Sequence, residues 1–147
     1  MATAAQVYNR FKTLNLNKEA IKVVVDRKVD MIHFNQQQLL NSGTDKEGNQ
    51  LKRYRSDSYA KRKHQRNPLP GLGVPDLYDT GAFFESMKLE VINEKKYRIY
   101  ATDSKTKELI KKYGNSILGL SYTSRVDMIK DFFRKDFMAN VKEHLKL

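Results

Sequence analysis

The chain has 147 residues, 39% of them hydrophobic and 31% charged, which supplies one modest core and is too apolar for disorder. The absence of cysteine excludes disulfides, thiol chemistry and cysteine-based zinc sites; it fits synthesis in a reducing cytoplasm, and nothing resembles a signal peptide or a membrane span. The net charge of +11 calls for a polyanion or an acidic protein neighbour.

Residues 4–14 form a short expected helix with Val7, Phe11 and Leu14 on one side. A longer helix is expected over 18–40, with Asn17 as N-cap and Ile21, Val25, Val29, Ile32 and Leu39 near helical spacing. The β-branched run Val23 to Val25 weakens it locally, and Gly43 stops it. Residues 43–75 then carry turn signals at Gly48-Asn49, Asn67-Pro68, Pro70-Gly71 and Gly73. Between Lys52 and Arg66 stand Lys52, Arg53, Arg55, Lys61, Arg62, Lys63 and Arg66, seven cations against the single carboxylate of Asp57. Tyr54 and Tyr59 interleave with them, and 56–64 has the makings of a short helix. Such a stretch is either a solvated basic loop or a contact for a polyanion or acidic partner.

The central stretch, 76–87, reads DLYDTGAFFESM. Its Asp79-Thr80-Gly81 is the signature of retropepsin-type aspartic proteases, in which two carboxylates share a proton. The alternative is a turn and helix start, with Asp79 or Thr80 as cap, Gly81 allowing the tight entry and Glu85 favouring the N-terminus. A retropepsin needs a mostly β chain, and this one has long helical runs, so the turn is the reading adopted. A strand at about 87–92 buries Met87, Leu89 and Val91, and its partner at about 97–101 buries Tyr97, Ile99 and Ala101. A helix over 105–113, capped by Asp103 or Ser104 and closed by Gly114, follows. The last helix, over 125–147, is capped by Thr123 or Ser124. Its broad apolar surface includes Phe132, Phe133 and Phe137, which suit either the core or a subunit interface.

The expected fold is therefore α+β and a single domain, 1–147. It divides into a helical arm (4–42), a basic loop (43–75), a turn, hairpin and short helix (76–120) and a C-terminal helix (123–147). A small antiparallel sheet, centred on the hairpin, packs against the two long helices. His33, His64 and His144 lack metal-ligand spacing, and the carboxylates are dispersed. No catalytic set, metal or cofactor is expected.

Taken in order, several motifs resemble a known family. They are Gly43-Thr44-Asp45-x-x-Gly48, Tyr54, Tyr59-Ala60-x-x-Lys63 and Asp76-Leu77 with Asp79-Thr80-Gly81-x-Phe83. Thr106-x-x-Leu109-x-x-Lys112-Tyr113-Gly114 and Ile117-x-Gly119-Leu120 complete the set. The order is similar to that of small neck, head–tail joining and minor tail proteins of tailed bacteriophages, of the type found in phages of Bacteroidetes. The chain departs from that pattern where Val126, rather than proline, follows Arg125. The resemblance implies a structural virion protein, not an enzyme, made in the bacterial host and assembled as a ring around the DNA channel. It implies other copies of itself and portal, neck or tail proteins as partners, with packaged DNA as a further contact and no membrane.

Overall fold

The structure is a computed structural model and describes residues 1–147. The fold is α+β, with one antiparallel pair of strands set among helices. Helix α1 (Ala4–Lys12) starts with a capping box between Thr3 and Gln6. It buries none of its residues and rests on the end of the chain: Arg10 donates to the Leu145 carbonyl at 3.2 Å, and His144 Nε2 lies 3.0 Å from Thr13 Oγ1.

The single helix expected over 18–40 is two. Helix α2 (Leu16–Asp26) is capped by Asn15, not Asn17, and α3 (Lys28–Ser42) starts after a break at Arg27 with φ −114° and ψ 28°. The break follows the valine run and has a tertiary anchor. Arg27 makes a two-pronged bond to Asp136 (2.7 and 3.3 Å), and its guanidinium lies 5.1 Å from the Phe132 ring centre. The bond from Arg27 also holds the Asp136 carboxyl below the usual carboxylate range. The break changes which side faces inward. Val25 and Val29 are 44% and 80% exposed, while Val23, Val24, Met31 and Leu39 are buried.

Helix α3 carries a polar stripe into the interior. Asn35 donates to the Ile117 carbonyl (3.1 Å) and accepts from the Gly119 N–H (2.8 Å). Gln38 donates to the Thr44 and Gly119 carbonyls, both at 3.2 Å, and accepts from the Ser121 N–H and the Ser124 hydroxyl, both at 2.8 Å. Both side chains are buried and use their donor and acceptor ends, so the connection at 115–121 and the first turn of the helix after it are fastened to α3. At the end of α3, Gly43 adopts φ +57°; an added Cβ there would lie 2.4 Å from Val74 and 2.5 Å from the Pro75 carbonyl.

Strands β1 (Met87–Asn93) and β2 (Lys96–Ala101) pair as Met87 with Ala101, Leu89 with Ile99 and Val91 with Tyr97. The alternation expected from the sequence holds for Met87, Leu89 and Ile99, which are buried. Val91 lies beyond the edge of the core and is exposed, next to an irregularity between Val91 and Asn93. Because a lone hairpin is marginal in water, its inner face is covered on two sides. Leu89 and Ile99 join Val23, Val24, Met31, Leu120, Met128 and Phe132. Met87 joins Leu39, Leu51, Phe83, Phe84 and Ile117, and Ile32 and Leu118 pack against both groups.

Helix α6 (Thr106–Tyr113) follows the hairpin; Asp103 accepts from the Lys105 N–H (3.1 Å) before the helix begins. The C-terminal helix starts at Tyr122, earlier than expected, and its cap is Ser121, which accepts from the Ser124 N–H. It runs as α7 (Tyr122–Met128), a π turn (Ile129–Phe133) and α8 (Arg134–Leu145). Of the aromatic residues considered for a subunit interface, Phe132 is buried in the core. Phe133 and Phe137 are half-buried, stack on each other at 5.8 Å and pack against the same core. No helix is long and apolar enough to cross a membrane.

Replacing Gln38 with Met, which is similar in volume, removes the partner of the Ser121 N–H, the Ser124 hydroxyl and the Thr44 and Gly119 carbonyls. At about 1–3 kcal/mol per unsatisfied group, the loss exceeds about 2 kcal/mol. Urea unfolding followed by circular dichroism reads it; an unchanged midpoint would show that the amide does not fasten the segment.

Candidate functional site

The segment expected to be a long basic loop is an ordered excursion closed at its base. The Leu51 N–H donates to the Gly43 carbonyl (2.8 Å), Thr44 bridges Gln50, and the Tyr54 N–H donates to the Gly73 carbonyl (3.0 Å). Its middle is helix α4 (Asp57–Arg66), capped by Ser56, whose hydroxyl accepts from the Tyr59 N–H. This matches the short helix legible at 56–64 and extends it by two residues.

Of the seven cations, six are presented outward. Lys52, Arg53, Arg55, Lys61, Arg62 and Arg66 are exposed, and none of them has a carboxylate within ion-pair distance. Two are steadied by backbone carbonyls: Arg53 reaches Leu72 at 3.4 Å and Arg66 reaches Asp79 at 3.1 Å. Lys63 is a correction to the expected contact set. It is buried, forms an ion pair with Asp76 at 2.9 Å and also donates to the Tyr78 carbonyl. Asp76 in turn accepts from the Tyr78 N–H (2.9 Å) and from the Asn67 amide (3.0 Å), which also reaches the Leu40 carbonyl at 2.8 Å. This knot ties the end of α4 to α3 and to the central turn. Lys63 serves the scaffold; the other six cations serve the surface.

The central turn is a turn, as expected, but its parts differ from the expected cap. Helix α5 (Ala82–Glu85) has Gly81 at its N-cap position with φ +91° and no side-chain cap. Thr80 Oγ1 accepts from the Ala82 N–H (3.3 Å), whereas Asp79 swings outward to Lys105 at 3.1 Å. The bond from Lys105 lowers the Asp79 carboxyl below its ordinary range, and Asp79 in return raises the lysine. A proton-sharing dyad would require the opposite environment for one of its carboxylates. Asp79-Thr80-Gly81 sits here between an exposed ion pair and one turn of helix, on a chain with two strands.

Beside α4 and the turn lies a cleft of about 260 Å³. Its walls come from three stretches far apart in the sequence: Tyr54 and Tyr59, the turn at 77–83, and the lead-in and body of α6 through Asp103, Lys105, Leu109, Lys112 and Tyr113. Tyr54 and Tyr59 meet edge to face at 4.9 Å. Arg62 stands over the Tyr59 ring at 5.6 Å and Lys112 over Tyr113 at 5.3 Å. Burial raises the Tyr54 and Tyr113 hydroxyls, with the nearby charge of Asp76 adding to both, so these walls stay neutral. Leu77 holds φ +60°, a conformation that a branched residue rarely adopts. The contribution of α6 was missed in the sequence: no local spacing links Lys112 and Tyr113 to α4, and the helix reads there as ordinary core packing.

Two stability outcomes follow. Breaking the buried pair one side at a time, by Lys63→Met or Asp76→Asn, costs about 3–5 kcal/mol, while the double change recovers part of the loss; a double-mutant cycle in urea measures it, and additive losses would mean no coupling. Asp79→Asn leaves the urea midpoint unchanged at neutral pH, because the pair with Lys105 is exposed. Whatever that pair adds is present above the ordinary aspartate pKa and disappears as pH falls through the lowered folded-state value, so the two proteins converge further in acid.

Comparison with protein-family models, with curated proteins and with solved structures finds no match to the chain.

Proposed function

We propose that the protein is a structural subunit of a tailed-phage virion that joins other copies of itself in a ring at the neck, the head–tail joint or the upper tail. In this reading its neighbours are portal, neck or tail proteins, and the DNA passing through the ring is a further contact. It is a building block and not a catalyst, and its destination after synthesis in the host is the virion. The observation that carries the reading is the basic ridge: six exposed cations with no ion-pair partners, on an excursion whose fixed points all lie within the chain. A surface held this firmly and left this uncompensated suits an acidic neighbour or a nucleic-acid backbone. Repetition around a ring multiplies one patch into a strong local potential. The motifs behind the phage resemblance support the same reading, because their residues act as scaffold. Gly43 closes α3 against Val74, Asp45 accepts from the Ser116 hydroxyl (2.9 Å), and Asp76 holds Lys63.

Native mass spectrometry across a concentration series, with peptide mapping of purified particles of the encoding phage, tests the proposal. The expected result is a discrete closed ring and presence in the particle. A monomer at every concentration, together with absence from the particle, overturns it. A salt titration of duplex DNA binding sorts the contacts: retention at low salt that falls as salt rises adds DNA, and no retention leaves the ridge to protein neighbours.

A further inference from the structure

The cleft beside the ridge is a formed cavity with a definite chemistry. Its volume of about 260 Å³ lies just under the span of about 300–1,000 Å³ typical of small-molecule sites. That is room for one large side chain rather than a cofactor. Leu77, Phe83 and Leu109 give it an apolar lining, and the rings of Tyr54, Tyr59 and Tyr113 give it amphipathic walls of the kind enriched at protein interfaces. A second depression shares Tyr54, Tyr59 and Lys112 with it and adds Lys52, Arg53 and Arg55. An apolar hole thus opens directly onto a run of cations.

We propose that this cleft docks an acidic segment of a partner protein through one aromatic or large aliphatic anchor. The anchor side chain fills the cavity, and carboxylates flanking it in the partner meet Lys112, Arg55 and Lys52. The inference rests on the building-block reading and deepens it by stating what a neighbour presents. One observation favours a protein segment over nucleic acid. The cavity, at about 260 Å³ and lined by Leu77, Phe83 and Leu109, holds a single side chain, where a strand of bases needs an extended stacking surface. Charge complementarity selects the acidic sequence, and the hole selects the anchor.

Fluorescence anisotropy with the full chain tests it. The probes are a fluorescein-labelled glutamate-rich peptide with one central Phe, the same peptide with Ser in that place, and a labelled oligothymidine of equal charge. The Phe peptide is expected to bind about tenfold or more tighter than the Ser peptide, the effect of burying one aromatic side chain. Lys112→Glu, an exposed change, weakens the Phe peptide about tenfold, and Tyr59→Ala narrows the gap between the two peptides. Equal binding of the two peptides overturns the proposal, as does an unaffected Lys112→Glu variant. Oligothymidine binding tighter than the Phe peptide overturns it in favour of nucleic acid. A retained Phe preference without any ring removes the virion reading and leaves the docking cleft; a ring without the preference removes the cleft alone.

Discussion

Two buried amides on one helix set the architecture. Asn35 and Gln38 point inward from α3 and take up the backbone groups of a segment with little regular structure of its own. Peptide groups in such a segment would otherwise face either the core, unpaired, or water. By pairing them, α3 converts 115–121 into part of the interior, and Ile117 and Leu120 are carried into the two halves of the core as a result. The hairpin then has a surface to rest on, and the C-terminal helix has a fixed starting point at Ser121. The energetic basis is the asymmetry of hydrogen bonding: a made bond contributes modestly, while a buried donor left without a partner is costly. Such a stripe specifies one arrangement of the segment more sharply than apolar contact would.

A second constraint works the same way with charge. The Lys63–Asp76 pair is too buried to be counted simply as stabilising, since removing both ions from water offsets much of their attraction. Its effect is geometric. Asp76 collects Lys63, Asn67 and the Tyr78 N–H at one point, and the backbone of the excursion has no freedom to slide relative to the turn. The six remaining cations inherit a stable platform. The cleft is a by-product of the same knot, because the turn held there supplies Leu77 and Phe83 as one wall and α4 supplies Tyr59 as another.

The parts legible in the sequence are those decided by neighbours along the chain. The strand pair followed from alternation at Met87, Leu89 and Ile99, and the stop at Gly43 from its tolerance of a left-handed backbone. Helix α4 was visible as a short helix within the basic run. What was hidden depends on partners far away. The break at Arg27 is secured by Asp136 and Phe132, more than a hundred residues on, so the apolar stripe drawn through Val25 and Val29 followed a helix that turns aside. Lys63 looked like its basic neighbours because Asp76, which claims it, lies on the other side of three prolines. Asn35 and Gln38 are polar, and no local pattern marks them as interior. Leu109, Lys112 and Tyr113 reach the cleft from α6, which carries no signal of that role.

The π turn at Ile129–Phe133 gives the C-terminal helix one residue more than an even spiral would hold. Each residue advances an α-helix by about 100°, and the wider turn absorbs the surplus, so the helix beyond it keeps the phase of a regular helix one residue shorter. Asp136 reaches Arg27 from that part of the helix. Deleting one residue within the wide turn would restore regular winding and leave Asp136 facing Arg27. The wide turn is therefore the place where this helix tolerates a change of length without losing its hold on the break at Arg27.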